Sequence, residues 1–158
     1  MAQSLAREFD CPWVPEFSRS YLQHQGTTYD ESDLEKILLG QMESENSARR
    51  ASNSPYLFVD TGPEVVYIWS LYKYGRGSHA IAEATATQQY NLTLLMAPDI
   101  GWSPDPLREN ASLTEREELY HMYETLLCDI RRDYRIVSGK ESMRHRNAVE
   151  ILRQSARG

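Results

Sequence analysis

Tyr56-Leu57-Phe58-Val59-Asp60-Thr61 decides how the rest of the chain is read. A short apolar run that stops at an acid has the pattern of a strand buried in a parallel sheet. Open α/β sheets bind their ligands at the carboxyl ends of such strands. In phosphoryl-transfer proteins an Asp at that end serves Mg²⁺. Its usual companion is a glycine-rich loop closing on Gly-Lys-Ser/Thr, and no such loop occurs in this sequence.

Three further runs repeat the pattern to either side. Cys11 to Val14 leads into Pro15-Glu16, Leu92 to Met96 into Ala97-Pro98-Asp99, and Tyr134 to Val137 into Ser138-Gly139. Helical patterns separate them. Met1 to Phe9 is amphipathic, with Leu5 and Phe9 inward. Ser32-Asp33-Leu34-Glu35 reads as a capping box opening a helix that carries Leu34, Ile37, Leu38, Gln41 and Met42 at 3/4 spacing. Pro63 suits a first helical turn, with Val66, Trp69, Ser70 and Lys73 on one face up to Gly75. Thr114-Glu115-Arg116-Glu117 reads as a second capping box, ahead of Leu119, Tyr123, Leu127 and Ile130. A last helix from about Glu141 buries Ala148, Ile151 and Leu152. Alternating strands and helices predict one α/β domain over residues 1–158, with a parallel sheet and flanking helices. Such a domain seldom opens on a bare helix, so a strand and its loop are expected upstream of Met1.

Composition narrows the partners. The chain has 158 residues and a net charge of −6, which argues against broad attraction to nucleic acid. Between residues 131 and 157 eight Lys/Arg face three acids, read as a solvated helix surface. Cys11 and Cys128 and the four histidines show no metal-type spacing. No run is long enough to span a membrane and no signal peptide is visible, so a reducing cytoplasm is the expected compartment.

Together these motifs resemble the nicotinamide-riboside-kinase-type P-loop ATPases, the group that includes the kinase domain of NadR-like proteins. The resemblance rests on Val14-Pro15-Glu16-Phe17-Ser18-Arg19-Ser20-Tyr21, on Leu39-Gly40-Gln41, and on Asp60-Thr61-Gly62 leading to Ile68-Trp69-Ser70. It extends through Pro98-Asp99-Ile100-Gly101-Trp102 and Asp105-Pro106-Leu107-Arg108-Glu109, with Arg116 beyond. It implies a P-loop kinase-like fold lacking its first strand and phosphate loop, because Met1 to Phe9 matches the helix that succeeds that loop. It also implies ATP and Mg²⁺ as cofactors and a small hydroxyl-bearing substrate, such as a nucleoside.

The same resemblance assigns roles. Asp60 matches the acid that holds Mg²⁺, a cation satisfied by one or two carboxylates plus phosphate and water oxygens; its alternative is to cap the helix opening at Pro63. Glu16 stands where related kinases place the base that takes a hydroxyl proton, or is an ordinary first-turn helix acid. Arg19, three residues on, binds substrate or pairs with Glu16. Residues 99–112 look like a lid, from which Arg108 reaches the transferring phosphate and Trp102 stacks on substrate or anchors the loop. Arg116 reads as a capping or surface residue. Ser138 and Gly139 lie where such kinases pass their adenine, or form a plain β-to-α turn. Two departures bear on the substrate: family members often read Asp-Thr-Asp where this chain has Asp60-Thr61-Gly62, leaving Glu64 as the nearest substitute. In addition, Pro15 and a residue near Glu43 stand where aromatics sandwich nicotinamide, with Trp13 and Tyr21 as nearby aromatics.

Two functions are compatible with these residues: a NadR-type kinase or ATPase, inactive as residues 1–158 alone, or a non-catalytic binding module. In the second case an uncovered strand edge predicts self-association.

Overall fold

The structure, a computed structural model, describes residues 1–26, 28–101 and 112–156. It divides into two compact units, Met1–Gln88 and Gln89–Gly158.

The first unit alternates strand and helix as the sequence predicts. Helix α1 (Ala2–Glu8) buries Ala2, Leu5 and Ala6 and lies against β1 (Trp13–Val14) and β2 (Phe58–Val59). The two strands pair in parallel, Trp13 with Phe58 and Val14 with Val59. The ladder continues one residue further, where the Asp60 N–H donates to the Val14 carbonyl at 3.0 Å. Helix α2 (Phe17–Gln25) comes after β1, and α3 (Glu31–Ala51), α4 (Pro63–Tyr74) and α5 (His79–Thr87) complete the unit. Leu34, Ile37, Leu38, Val66 and Ile81 form its core, with Tyr21, Tyr67 and Tyr74 packed against them. A fully buried aliphatic side chain is worth about 2 kcal/mol over an exposed one. Three helices converging on that cluster therefore make it the unit's main source of stability.

Gly40 is where α2 meets α3. A β-carbon there would overlap the Phe17 ring, so only glycine admits this approach.

In the second unit β3 (Thr93–Met96) and β4 (Tyr134–Val137) pair in parallel from Thr93–Tyr134 to Met96–Val137. Helix α6 (Leu113–Asp129) packs on β3 and α7 (Glu141–Ser155) on β4. Leu95, Leu119, Leu127, Val137, Ala148 and Val149 are buried there.

Three local readings are corrected. The capping box of α3 is made by Asp30 and Asp33, not from Ser32 onward: Asp30 accepts from the Ser32 and Asp33 N–H groups, and Asp33 returns the bond. A carboxylate at a helix N-terminus outcompetes a hydroxyl because it also meets the positive end of the helix dipole. The box of α6 is Ser112 with Glu115, not Thr114 with Glu117. Arg144, counted among solvated charges, is buried at 7% exposure. Helix α5 adds to the expected elements; its signal is the Ser78 hydroxyl, which accepts from the Ile81 N–H at 3.3 Å.

Candidate functional site

The two strands of the first unit end side by side, and the residues after them line a cleft of about 380 Å³. That size lies within the roughly 300–1,000 Å³ of small-molecule sites. Glu16, Arg19 and Asp60 all line it, together with the half-buried Trp13. Parallel pairing explains the convergence, since β1 and β2 must bring their carboxyl ends to the same edge.

Each of these residues has a definite local role. Glu16 stands at the N-cap position of α2, yet its side chain caps nothing. Its carboxylate accepts from the Ser18 hydroxyl at 2.5 Å and from Arg19 Nε at 3.2 Å. Both partners of this ion pair are partly exposed, so it orients Glu16 more than it stabilises the fold. Asp60 is exposed, and no described residue donates a hydrogen bond to its carboxylate. Nor does it cap α4: Gly62 occupies that position, and no side chain caps the helix.

Around Asp60 the turn is tightly built. The Glu64 carboxylate oxygens lie 2.5 and 2.7 Å from where a β-carbon on Gly62 would stand. Glu64, only 7% exposed, thus fills the space a side chain at residue 62 would need.

Pro15 lines the cleft, as does Ser44 beside Glu43. Glu43 pairs instead with Arg50 at 3.0 Å on the surface. Tyr21 is occupied elsewhere, its hydroxyl donating to Asp33 Oδ1 at 2.7 Å. That bond, chiefly, pushes the Tyr21 phenol above its ordinary value. Of the two nearby aromatics, Trp13 alone lines the cleft.

The second unit holds three more of the residues singled out in the sequence, Asp99, Ser138 and Gly139. Asp99 lies beyond β3, and Ser138-Gly139 beyond β4. Gly139 has φ of 104°, a conformation that suits glycine. Its N–H donates to Asp99 Oδ2 at 2.7 Å. Arg144 donates to the Gly139 carbonyl at 2.8 Å, to the Ala97 carbonyl at 2.7 Å and to Asp99 Oδ1. Asn147 Nδ2 donates to the Ser138 carbonyl at 3.0 Å. The Gly139 N–H and the Ser138 and Gly139 carbonyls of this turn each have a side-chain partner. Burial pushes the Arg144 guanidinium below its ordinary value, and the bonds to Asp99 and two carbonyls compensate its desolvation. Sequence reasoning missed Arg144; its alignment with Ala148 at i+4 was the available signal. Arg116 is not idle either, donating to the Ile100 carbonyl at 2.7 Å. Arg108 and Trp102 lie outside the described residues.

Mg²⁺ and ATP are the cofactors expected from the sequence. Asp60 offers hard oxygens at an open cleft, which fits Mg²⁺ arriving with its own waters. Among the described residues no cluster of three or more His, Cys, Asp or Glu is poised to cage a metal. No lysine is among the residues that line the cleft. Among the described residues, too, no helix is long and apolar enough to cross a membrane.

Comparison with known proteins places this geometry. The structure resembles the crystal structure of a NadR protein in complex with NR, at a TM-score of 0.74 and 15% identity, covering 98% of this chain and 45% of that one. It also resembles the crystal structure of a NadR protein in complex with NAD and AMP-PNP, at a TM-score of 0.74 and 17% identity, covering 98% and 44%. The chain thus spans less than half the length of those proteins, and at this identity the likeness establishes the fold alone, a mixed α/β fold shared with those NadR structures. No curated protein matches by sequence. The sequence model of a family described as an AAA domain matches residues 1–146. With nearly the whole chain matched, the protein belongs to this AAA-domain family.

Proposed function

We propose that the chain carries the metal- and acceptor-binding half of a NadR-type small-molecule kinase site. The observation that supports this is the meeting of Glu16, Arg19 and Asp60 in one cleft at the carboxyl ends of β1 and β2. Asp60 would hold Mg²⁺, whose contribution when bound is to neutralise charge on phosphate oxygens. Glu16 would receive the proton of a substrate hydroxyl placed within one hydrogen bond of it. Arg19, now on Glu16, would hold that carboxylate in line or turn to an anionic group of the substrate. Trp13 supplies an apolar wall for a ring. A nucleoside, with a hydroxyl-bearing sugar and a flat base, matches these needs. The NR bound by one similar NadR protein is consistent with that class.

Residues 1–158 alone are not expected to hydrolyse ATP, for want of a phosphate loop in the sequence. A second reading, a binding module without phosphoryl transfer, is favoured by the side-chain bonds that hold the Gly139 N–H and carbonyl.

Thermal unfolding of the chain with Mg²⁺ and a panel of nucleosides tests the first reading. A ligand held only by the folded state at a hundred times its Kd adds about 2.7 kcal/mol, so at least one riboside should raise the midpoint, and Glu16→Gln should remove that rise. No shift with any nucleoside, with and without Mg²⁺, would refute the acceptor site.

A further inference from the structure

We infer that Gln41 is the positioning residue that joins the two acid-bearing turns of this cleft. The inference rests on the reading of Glu16 and Asp60 as a metal and hydroxyl site. Gln41 sits on α3 and is 2% exposed. Its Oε1 accepts from the Phe17 N–H at 2.8 Å and reaches the Thr61 hydroxyl at 3.5 Å. Phe17 is next to Glu16, and Thr61 is next to Asp60. One carbonyl oxygen, with two lone pairs, thus touches the residue beside each acid.

Two facts give this arrangement more than a packing role. The Phe17 N–H is the first of α2, one of the donors that a helix leaves without an internal partner. Glu16, at the N-cap position, does not supply a cap; its carboxylate is turned to Ser18 and Arg19 beside the cleft. Gln41 provides an acceptor from another helix and so leaves Glu16 to the cleft. The second fact is the cost. Gln41 Nε2 is buried with no hydrogen-bond partner among the described residues. Turning the amide over would set its NH₂ against the Phe17 N–H, so the orientation is fixed by the donor it serves. A buried amide satisfied on one side only is a poor packing choice, and an apolar residue of the same size would pack without that defect. The retained carbonyl is therefore the group that matters.

The test compares the parent chain with Gln41→Leu and Gln41→Glu, using Mn²⁺ as the probe. Affinity is read by electron paramagnetic resonance and protection of the Phe17 amide by hydrogen exchange. Residues that orient a metal ligand without touching the metal change affinity by roughly 10–100-fold when replaced. Gln41→Leu should therefore weaken Mn²⁺ by about tenfold and expose the Phe17 amide. Gln41→Glu, which keeps an acceptor, should recover most of both losses. A packing role predicts the reverse order, with Leu at least as good as Glu. Parent-like affinity in a folded Gln41→Leu, or that reversed order, overturns the positioning role alone. If the parent chain does not bind Mn²⁺, the reading of the site fails and the positioning role falls with it. Should Gln41→Leu not fold, Thr61→Val removes only the second arm. It should weaken Mn²⁺ several-fold while Phe17 stays protected, with Thr61→Ser restoring affinity; unchanged affinity overturns the proposal.

Discussion

Asp60 and Asp99 carry the same signature, an acid just beyond a parallel strand, yet the two units use them in opposite ways. Both oxygens of Asp99 are taken, one by the Gly139 N–H and one by Arg144. Asp60 opens onto a cleft, and no described residue donates to its carboxylate. The difference lies in the helix that leaves the neighbouring strand. After β4 the chain turns into α7, which brings Arg144 and Asn147 back over the strand ends. After β1 it turns into α2, which brings a second acid, Glu16. An acid at a strand end is thus a structural tie where a buried cation returns to it, and a candidate ligand where it lines a cleft shared with another acid.

The comparison breaks most readily at Arg144. Arg144 is buried while Asp99 is exposed, so Arg144→Leu removes chiefly the donor to the Gly139 and Ala97 carbonyls and should cost about 2 kcal/mol in urea unfolding monitored on the second unit. Asp60→Asn should by contrast stay within about 0.5 kcal/mol of the parent, as surface substitutions do. If Asp60→Asn destabilises as much as Arg144→Leu, Asp60 is a structural tie as well.

Next in size is Gly40→Ala. Its β-carbon would overlap the Phe17 ring, and overpacking of this kind costs about 1–3 kcal/mol. Because Phe17 adjoins Glu16, the variant should also impair ligand binding at the cleft, whereas Arg144→Leu should spare it. Thermal unfolding with and without a nucleoside separates the two.

Smaller still is the α3 cap. Asp30→Ala should lower stability by about 1 kcal/mol, measured by chemical denaturation. Its partner Asp33 is held well below its ordinary value of 3.8, first by the Lys36 side chain, then by the Asp30 N–H and the Tyr21 hydroxyl. A carboxyl with a lower pKa folded than unfolded stabilises the fold above the unfolded value, and that stabilisation fades as pH falls below it. Acid titration of the unfolding midpoint should therefore show a decline below about pH 4 that flattens in Asp33→Asn.

Much of this was legible in the residues. The strands, the parallel pairing and the faces of α1 and α3 come from apolar spacing, and Asp60 and Glu16 from their places at strand ends. Arg144 was not legible, because a basic residue in a basic stretch looks solvated unless its partners are known. Those partners are Asp99 and two carbonyls, at least five residues away in the chain. The caps were displaced by two residues because several S-x-x-E-like readings overlapped, and only the position of the first helical turn chooses among them. Gln41 looked like one more position on a core face; its meaning lies in two backbone turns that the sequence does not show to be neighbours.

The contrast between the two acids can be read in one measurement. Mn²⁺ added to the uniformly ¹⁵N-labelled chain broadens backbone amides near any site that holds it. Broadening centred on Glu16, Phe17, Asp60 and Thr61, with Asp99 and Gly139 sharp, is the predicted result. Broadening centred on Asp99 and Gly139, or spread evenly over surface acids, would contradict the account.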